Sequence, residues 1–200
     1  MLTEYDFWVF KDVIPQEEIV KIKKIATDGG YSSSLIRKCK EEVVPEKDHR
    51  DSNAFFSDDD YFYKLLVPIA LGANIEAGWN FNIDWYESVQ ISKYGAGQHY
   101  DWHQDGPSDC INAYSEKNEV ATNYRGKVRK LTVVALLQKS EEGGHLQCAN
   151  DTPIGDNRYE FELNVGDAVV FPSYLWHRSA PVTKGEKQSM TMWCLGRPFK

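Results

Sequence analysis

The chain lacks the cysteine spacing that closes a zinc knuckle or a redox dithiol. Its four cysteines, Cys39, Cys110, Cys148 and Cys194, are scattered with no C-x-x-C pair among them, so reduced thiols in a cytoplasmic protein are the expectation. Basic charge is also short. Against 30 Asp and Glu stand 23 Lys and Arg, a net charge of −7; the cationic footprint of a protein held mainly by phosphate contacts is missing, and no nucleic-acid partner is expected. No apolar run approaches membrane-spanning length, and the opening residues, MLTEYDFWVF, carry acids where a secretory leader would be basic. Neither a membrane partner nor export is therefore expected. Internal repeats and low-complexity tracts are missing too. What is present, 200 residues of which 42% are hydrophobic, suffices for one core spanning 1–200 without a second domain.

The texture of the chain changes near residue 80. Before it, WVFKDVIP reads as a short strand closed by Pro15. Ile19, Ile22 and Ile25 then recur near helical spacing up to Gly29-Gly30, which predicts a helix over 16–27. A second helix is expected over 61–71, in YFYKLLVPIALGAN, with Pro68 either kinking it or marking a break. Residues 37–60 are charged and poorly periodic around a short extended piece at 52–56, a loop that is either a solvated connection or a cover for substrate. Beyond residue 80, WYESVQISKYG, KVRKLTVVALLQ, GGHLQC, RYEFELNVGDAVVFP and KQSMTMWCLG are strand-like segments parted by Gly, Pro, Asn and Asp turns. That pattern predicts an α+β domain: a double-stranded β-helix, or jelly roll, over 80–200, with 1–79 as helical support and loop. Residues 106–126 have little periodicity and are long for a loop in a compact domain, which makes them a candidate lid.

The chemistry concentrates in YGAGQHYDWHQD, residues 94–105. A histidine and an aspartate two apart on a strand project to one face, so His103 and Asp105 can hold one ion together. His99 and Asp101 have the same spacing, and all four side chains could share one face; strand geometry alone does not choose. The 103/105 pair stands where the extended stretch gives way to Gly106-Pro107, at a strand mouth where an open coordination position can be reached. A third ligand from a distant strand would complete two histidines and a carboxylate, the set that suits iron(II) and leaves positions open for a co-substrate and dioxygen. A lone histidine, His177, lies downstream, with Lys187 ten residues beyond it. Alternation along KQSMTMWC puts Lys187, Ser189, Thr191 and Trp193 on one face, suited to line a pocket, and Met190, Met192 and Cys194 on the other. Thr132, Val134 and Leu136 share a face in the same way, as do Gln90 and Tyr94.

The series Y-x-x-G-x-x-Y-x-x-H-x-D, here Tyr94, Gly97, Tyr100, His103 and Asp105, resembles the metal motif of the prolyl 4-hydroxylase branch of the iron(II)/2-oxoglutarate-dependent oxygenases. HRSAPVTKGEKQSMTMW, residues 177–193, resembles that family's distal histidine followed by P-V-T-x-G-x-[KR]-x-S and a tryptophan. Across roughly 85–198 the resemblance implies that His103, Asp105 and His177 are the metal ligands and catalytic centre. It implies that Lys187 clamps the far carboxylate of 2-oxoglutarate, that Tyr94 hydrogen-bonds the same co-substrate, and that Ser189, Trp193 and Thr132 surround it. Arg129 would reach the carbonyl of a peptide substrate, with Tyr100 on the substrate side. The implied cofactors are iron(II), 2-oxoglutarate as co-substrate, dioxygen and ascorbate; the implied reaction hydroxylates peptidyl proline at C4 with release of succinate and carbon dioxide. The partner would be a peptide or protein containing proline.

Two positions depart from the family pattern. Leu136 stands where these enzymes often carry a tyrosine that contacts 2-oxoglutarate, and His145 in GGHLQC takes the place of a glutamate, which suits a structural or supporting role. The nucleic-acid demethylases share H-x-D and a distal histidine but typically anchor the co-substrate through an arginine further along, whereas Lys187 keeps the prolyl hydroxylase spacing. A hydroxylase of small molecules or of other amino acids is the alternative within the class, and a non-catalytic jelly-roll binding module the alternative outside it.

Overall fold

In a computed structural model, residues 5–34, 49–106, 112–117, 121–150 and 158–199 are described. They form the helices α1 (Gln16–Gly29) and α2 (Asp60–Glu76) and fifteen strands. The strands are β1 (Trp8–Phe10), β2 (Ser32–Ser33), β3 (Arg50–Asp51), β4 (Asn53–Ser57), β5 (Trp85–Tyr86), β6 (Val89–Tyr94), β7 (His99–His103) and β8 (Val128–Gln138). After them come β9 (Glu142–Gly143), β10 (Leu146–Ala149), β11 (Arg158–Glu160), β12 (Ala168–Pro172), β13 (Trp176–Ser179), β14 (Val182–Lys184) and β15 (Lys187–Gly196).

Every strand pairing is antiparallel. A large sheet runs β1-β12-β8-β15-β6-β4-β2 with β5 added on β15, and a smaller one runs β11-β10-β13-β7-β3. The middle of the large sheet, β12, β8 and β15, is buried on both faces, which explains the nearly continuous apolar runs of β8 and β12. Val133 and Ala135 on β8, Val170 on β12, and Met190, Met192 and Cys194 on β15 pack under the helices with Ile19, Ile22, Phe62 and Leu66. The alternate residues Leu136, Val169 and Phe171 face Leu146, Cys148 and Leu175 in a second cluster. Two sheets with helices over one of them give the expected jelly roll, and solved structures of the same fold are described below.

The first helix ends two residues beyond its expected limit, and Ile19, Ile22 and Ala26 are its buried stripe. The second begins where the Asp59 side chain accepts from the Tyr61 backbone N–H at 2.8 Å, a helix cap. It runs through Pro68 to Glu76 without a break. Pro68 and Lys64 are exposed, so the Lys64 carbonyl, which proline leaves without a donor, faces water.

The N-terminal region is more than helical support. β1 extends the large sheet on β12, β4 and β2 extend it beyond β6, and β3 closes the edge of the smaller sheet against β7. The expected loop at 37–60 is described from residue 49 onward, where it supplies β3 and β4; its 37–48 stretch lies outside the described residues. So do 107–111 and 118–120 of the candidate lid, and Cys39 and Cys110. Cys148 and Cys194 are buried free thiols, both raised above the usual cysteine range, chiefly by burial. Among the described residues no helix is long and apolar enough to cross a membrane.

Candidate metal centre

A slip in strand register decides which side chains of β7 face the site. Strict alternation would turn His99, Asp101 and His103 the same way. Instead His177 on β13 lies opposite His103 while Ser179 lies opposite Tyr100, so β7 carries one extra residue between those pairs, a β-bulge that reverses facing along the strand. Tyr100 and His103 consequently line one cavity, their rings stacked with centroids 3.6 Å apart. Asp101 is turned outward, half exposed and 4.0 Å from Arg178 Nη1. The expectation that both H-x-D pairs could share one face is corrected by the bulge.

The register also brings the two distant histidines together, with ring centroids 4.2 Å apart. His103, Asp105 and His177 are buried, and each offers a ligand atom within 4.8 Å of the others. His103 Nε2 lies 3.7 Å from Asp105 Oδ1, and His177 Nε2 3.3 Å from Asp105 Oδ2. On the far side of each ring, Nδ1 meets a backbone carbonyl: Asp101 O at 2.7 Å for His103 and Leu175 O at 2.9 Å for His177. A proton on Nδ1 satisfies that carbonyl and leaves the Nε2 lone pair aimed inward, the tautomer a metal requires. Burial alone would raise the Asp105 pKa, but His177 and His103 in their protonated form, together with Arg129, outweigh it and hold the carboxyl well below its usual range; a bound metal takes the place of those protons on Nε2. Two neutral imidazoles and one carboxylate, fixed from behind, fit iron(II).

Thr132, which the resemblance sets beside the co-substrate, lines the triad's cavity, and its hydroxyl donates to Asp105 Oδ2 at 2.6 Å and meets Ser173 Oγ at 2.9 Å, which orients the carboxylate. Thr132→Val keeps the shape and removes that contact. It is expected to weaken metal affinity about 10- to 100-fold, as read by competition with a chromophoric chelator; an unchanged affinity would show that the hydroxyl does not support the ligand.

Lys187, Tyr94, Ser189 and Trp193 line the same cavity as the triad, together with Thr132 and Tyr100. Lys187 stands across from Tyr94 in the β15–β6 ladder, and its ammonium lies 5.5 Å from the centre of the tyrosine ring. It donates to Ser179 Oγ at 2.8 Å. Burial pushes the Lys187 pKa down to about 7, with no opposing charge to offset it. Trp193 contributes a second unmet need, a buried indole N–H without an acceptor. A buried ammonium with no anion and an orphaned donor in one cavity fit a bound carboxylate compound such as 2-oxoglutarate.

Arg129 stands apart from the other expected residues. A further slip in the β8–β15 register, between Cys194 and Leu195, brings it round to the Thr132 side. Its guanidinium lies 4.0 Å over the Trp193 ring, with Nη1 3.8 Å from Asp105 Oδ1. Nε and Nη2 are both committed to Glu87, at 2.7 Å each, and Tyr114 Oη also donates to Glu87, at 2.9 Å. The arginine therefore braces the cavity wall, with two of its nitrogens already bound within the protein. His145 is away from the triad, with Nδ1 3.3 Å from Glu160 Oε1.

Sequence reasoning missed Ser179, Ser173 and Glu87. Ser179 was within reach, because it follows His177 by two on one strand and so shares its face. Glu87 and Ser173 carried no local signal, since tertiary packing alone delivers them.

The model of the 2OG-Fe(II) oxygenase superfamily matches residues 89–195. A protein of Acanthamoeba polyphaga mimivirus, provisionally named a prolyl 4-hydroxylase, is 31% identical over 136 residues, 63% of this chain and 52% of its own length. Prolyl 4-hydroxylase 13 of Arabidopsis thaliana is 30% identical over 145 residues, 64% of this chain and 49% of its own. The chain thus spans about half the length of the curated relatives it matches. A prolyl hydroxylase from Trichoplax adhaerens, solved with a peptide fragment of the hypoxia inducible factor oxygen degradation domain, superposes with a TM-score of 0.67. That likeness covers 94% of this chain and 83% of the other at 15% identity, and it establishes the shared fold. With a family match running from the first residue of β6 almost to the end of β15, across all three residues of the buried triad, the chain belongs to the 2OG-Fe(II) oxygenase superfamily.

Proposed function

We propose that this chain hydroxylates a prolyl residue of a peptide or protein at C4, consuming 2-oxoglutarate and dioxygen and releasing succinate and carbon dioxide. His103, Asp105 and His177 would hold iron(II). Bound there, the metal supplies the activation of dioxygen that couples decarboxylation of 2-oxoglutarate to oxygen insertion into a C–H bond.

The chain's own residues bind and orient. Lys187 supplies the charge for the distal carboxylate of 2-oxoglutarate, with Ser179 fixing the ammonium and Tyr94 forming the adjoining wall. Thr132 holds Asp105 so that one oxygen stays turned to the ion. Trp193 offers an N–H, and with Tyr100 an aromatic wall against which a prolyl ring can pack. A prolyl amide has no N–H to pair with a strand edge, so shape and apolar contact must select it. Burial of the triad keeps bulk water from the reacting atoms. Arg129, whose guanidinium lies 4.0 Å over the Trp193 ring, is proposed to stand on the substrate side of that ring.

The observation that carries this assignment is the buried, uncompensated Lys187 ammonium in the triad's cavity, on a chain whose curated relatives bear the name prolyl 4-hydroxylase. Proline-rich peptides incubated with iron(II), ascorbate and 2-oxoglutarate are expected to gain a single oxygen, located on proline by mass spectrometry. Enzyme that turns over 2-oxoglutarate and oxidises free amino acids or other small molecules, while leaving a broad peptide panel untouched, would move the acceptor to the small-molecule class.

A further inference from the structure

His145, which takes the place of the family's glutamate, stands on the outward face of the smaller sheet beside a second set of metal donors. Gln147 lies opposite Glu160 in the β10–β11 ladder, and the pairing continues one step further, where the Phe161 N–H donates to Leu146 O at 2.9 Å. Leu146 and Phe161 are buried in the second apolar cluster, so alternation turns His145, Gln147, Glu160 and Glu162 to the opposite, solvent side. There His145, Glu160 and Glu162 each offer a ligand atom within 4.8 Å of the others.

The spacing of these donors is that of ligands rather than of carboxylates alone. His145 Nδ1 lies 3.3 Å from Glu160 Oε1. A tetrahedral ion that holds two donors at ~2.0–2.1 Å sets them about 3.3 Å apart, so this pair can share one without rearranging. The second Glu160 oxygen is already engaged: Gln147 Nε2 donates to Oε2, and Arg178 Nε donates to Gln147 Oε1 at 2.6 Å. Support from outside the donor set thus fixes the carboxylate with Oε1 turned to the imidazole. Glu162 has a looser tie, to Lys139 Nζ at 3.9 Å, an exposed pair too weak to keep it from a cation.

We infer that His145 Nδ1, Glu160 and Glu162 form a second metal site, for a zinc-like divalent ion and separate from the iron centre. One imidazole nitrogen with two carboxylate oxygens suits Zn(II), and water completes the tetrahedron. Exposed donors, one of which must swing inward, set the affinity in the micromolar range, so this ion leaves on dialysis against metal-free buffer. Bound, it ties β11, the edge strand of the smaller sheet, to β10, which pairs in turn with β13 and its His177.

The test is equilibrium dialysis of the native protein against buffers of set free zinc concentration, which counts ions per chain. Two are expected, one held tightly by the buried triad and one in the micromolar range. His145→Ala should keep the tight ion and weaken the other by at least about tenfold, whereas His103→Ala should remove the tight ion and leave the other. Glu160→Gln, which keeps the side chain's shape, should weaken the same site as His145→Ala, so the assignment does not hang on one variant. Calcium, which takes oxygen donors, should fail to displace the weaker zinc ion at equal concentration, because a nitrogen donor favours zinc. A single ion per native chain, a weaker site indifferent to both His145→Ala and Glu160→Gln, or displacement of its zinc by equimolar calcium overturns the inference.

Discussion

Replacing His103 by alanine is expected to abolish metal binding and, with it, all 2-oxoglutarate turnover, while His99→Ala leaves both largely intact. The two histidines lie four residues apart on one strand, and their separation in function comes from the bulge between them. His103 lies opposite His177, fixes its Nδ1 on the Asp101 carbonyl at 2.7 Å, and turns Nε2 into the triad. His99 lies beyond the extra residue, paired in register with Asp51 at the edge of the smaller sheet, and is not a lining residue of the triad's cavity. Supporting contacts around a metal typically change its affinity 10- to 100-fold, so loss of one of three direct ligands should exceed the upper end, at least about a hundredfold. Metal content per chain after dialysis, with thermal unfolding to show that each variant folds, measures this directly. His103 also stacks on Tyr100, so His103→Gln, which keeps bulk at the position, separates lost packing from lost ligation. A His99 variant that lost metal while His103 variants retained it would mean that the other H-x-D pair binds the ion.

The alternation that located the site also marks where sequence reading stopped. Along β15 every residue is buried, and period two still sorts them correctly, with Met190, Met192 and Cys194 under the helices and Lys187, Ser189, Thr191 and Trp193 toward the cavity. This works because that stretch of the strand has no register slip against β6. On β7 and at the start of β8 the rule fails, because a bulge inserts one residue and inverts all that follows. A bulge has no composition signal as reliable as alternation itself, and here a run of residues able to face either way hides it. His177 and Lys187 were placed in the site only by resemblance, since the pairing of β13 with β7 is a contact across more than seventy residues of chain. Of the four strands contributed before residue 80, β1 and the extended piece of β4 were legible, while β2 and β3 were missed for a different cause. β2 and β3 are two residues long, too short to show any period, and they exist because the edges of the two sheets offer unpaired backbone groups there.

The paired slips also account for the chemistry of the cavity. The first turns Tyr100 inward beside His103; the second brings Arg129 toward Asp105 and onto the Trp193 ring. The cavity wall thereby gains an aromatic face and a cation that the regular strands would have turned away. Glu87 fixes the guanidinium through two contacts of 2.7 Å, which leaves Nη1 3.8 Å from Asp105 Oδ1, an ion pair that helps keep the carboxylate charged.

Lys187→Met is expected to weaken 2-oxoglutarate binding on the order of a hundredfold, as suits loss of a hydrogen-bonded charge, and at the same time to stabilise the ligand-free protein. Both effects have one cause. The ammonium is buried beside a single hydroxyl, and burial alone brings its pKa down to about 7, against roughly 10.4 for lysine in an unfolded chain. Between those values the unfolded chain holds the proton that the folded chain releases. This group therefore contributes least stability below about pH 7, and its contribution rises with pH until the unfolded lysine also loses its proton, near 10.4. Methionine fills the same volume without a charge, so the variant should unfold at a higher temperature near pH 7, with the gain shrinking as pH rises through that window. Binding runs the other way: the dicarboxylate needs the ammonium, so in the native protein 2-oxoglutarate affinity should fall with pH above about 7, by up to about tenfold per pH unit, and proton uptake should accompany binding. The methionine variant should lose that slope. Lys187→Arg keeps the charge, so part of the affinity should remain. Calorimetry in two buffers of different ionisation enthalpy, repeated across pH 6 to 9, reads affinity and proton uptake together. A methionine variant with native affinity and the native pH slope would remove Lys187 from the co-substrate site.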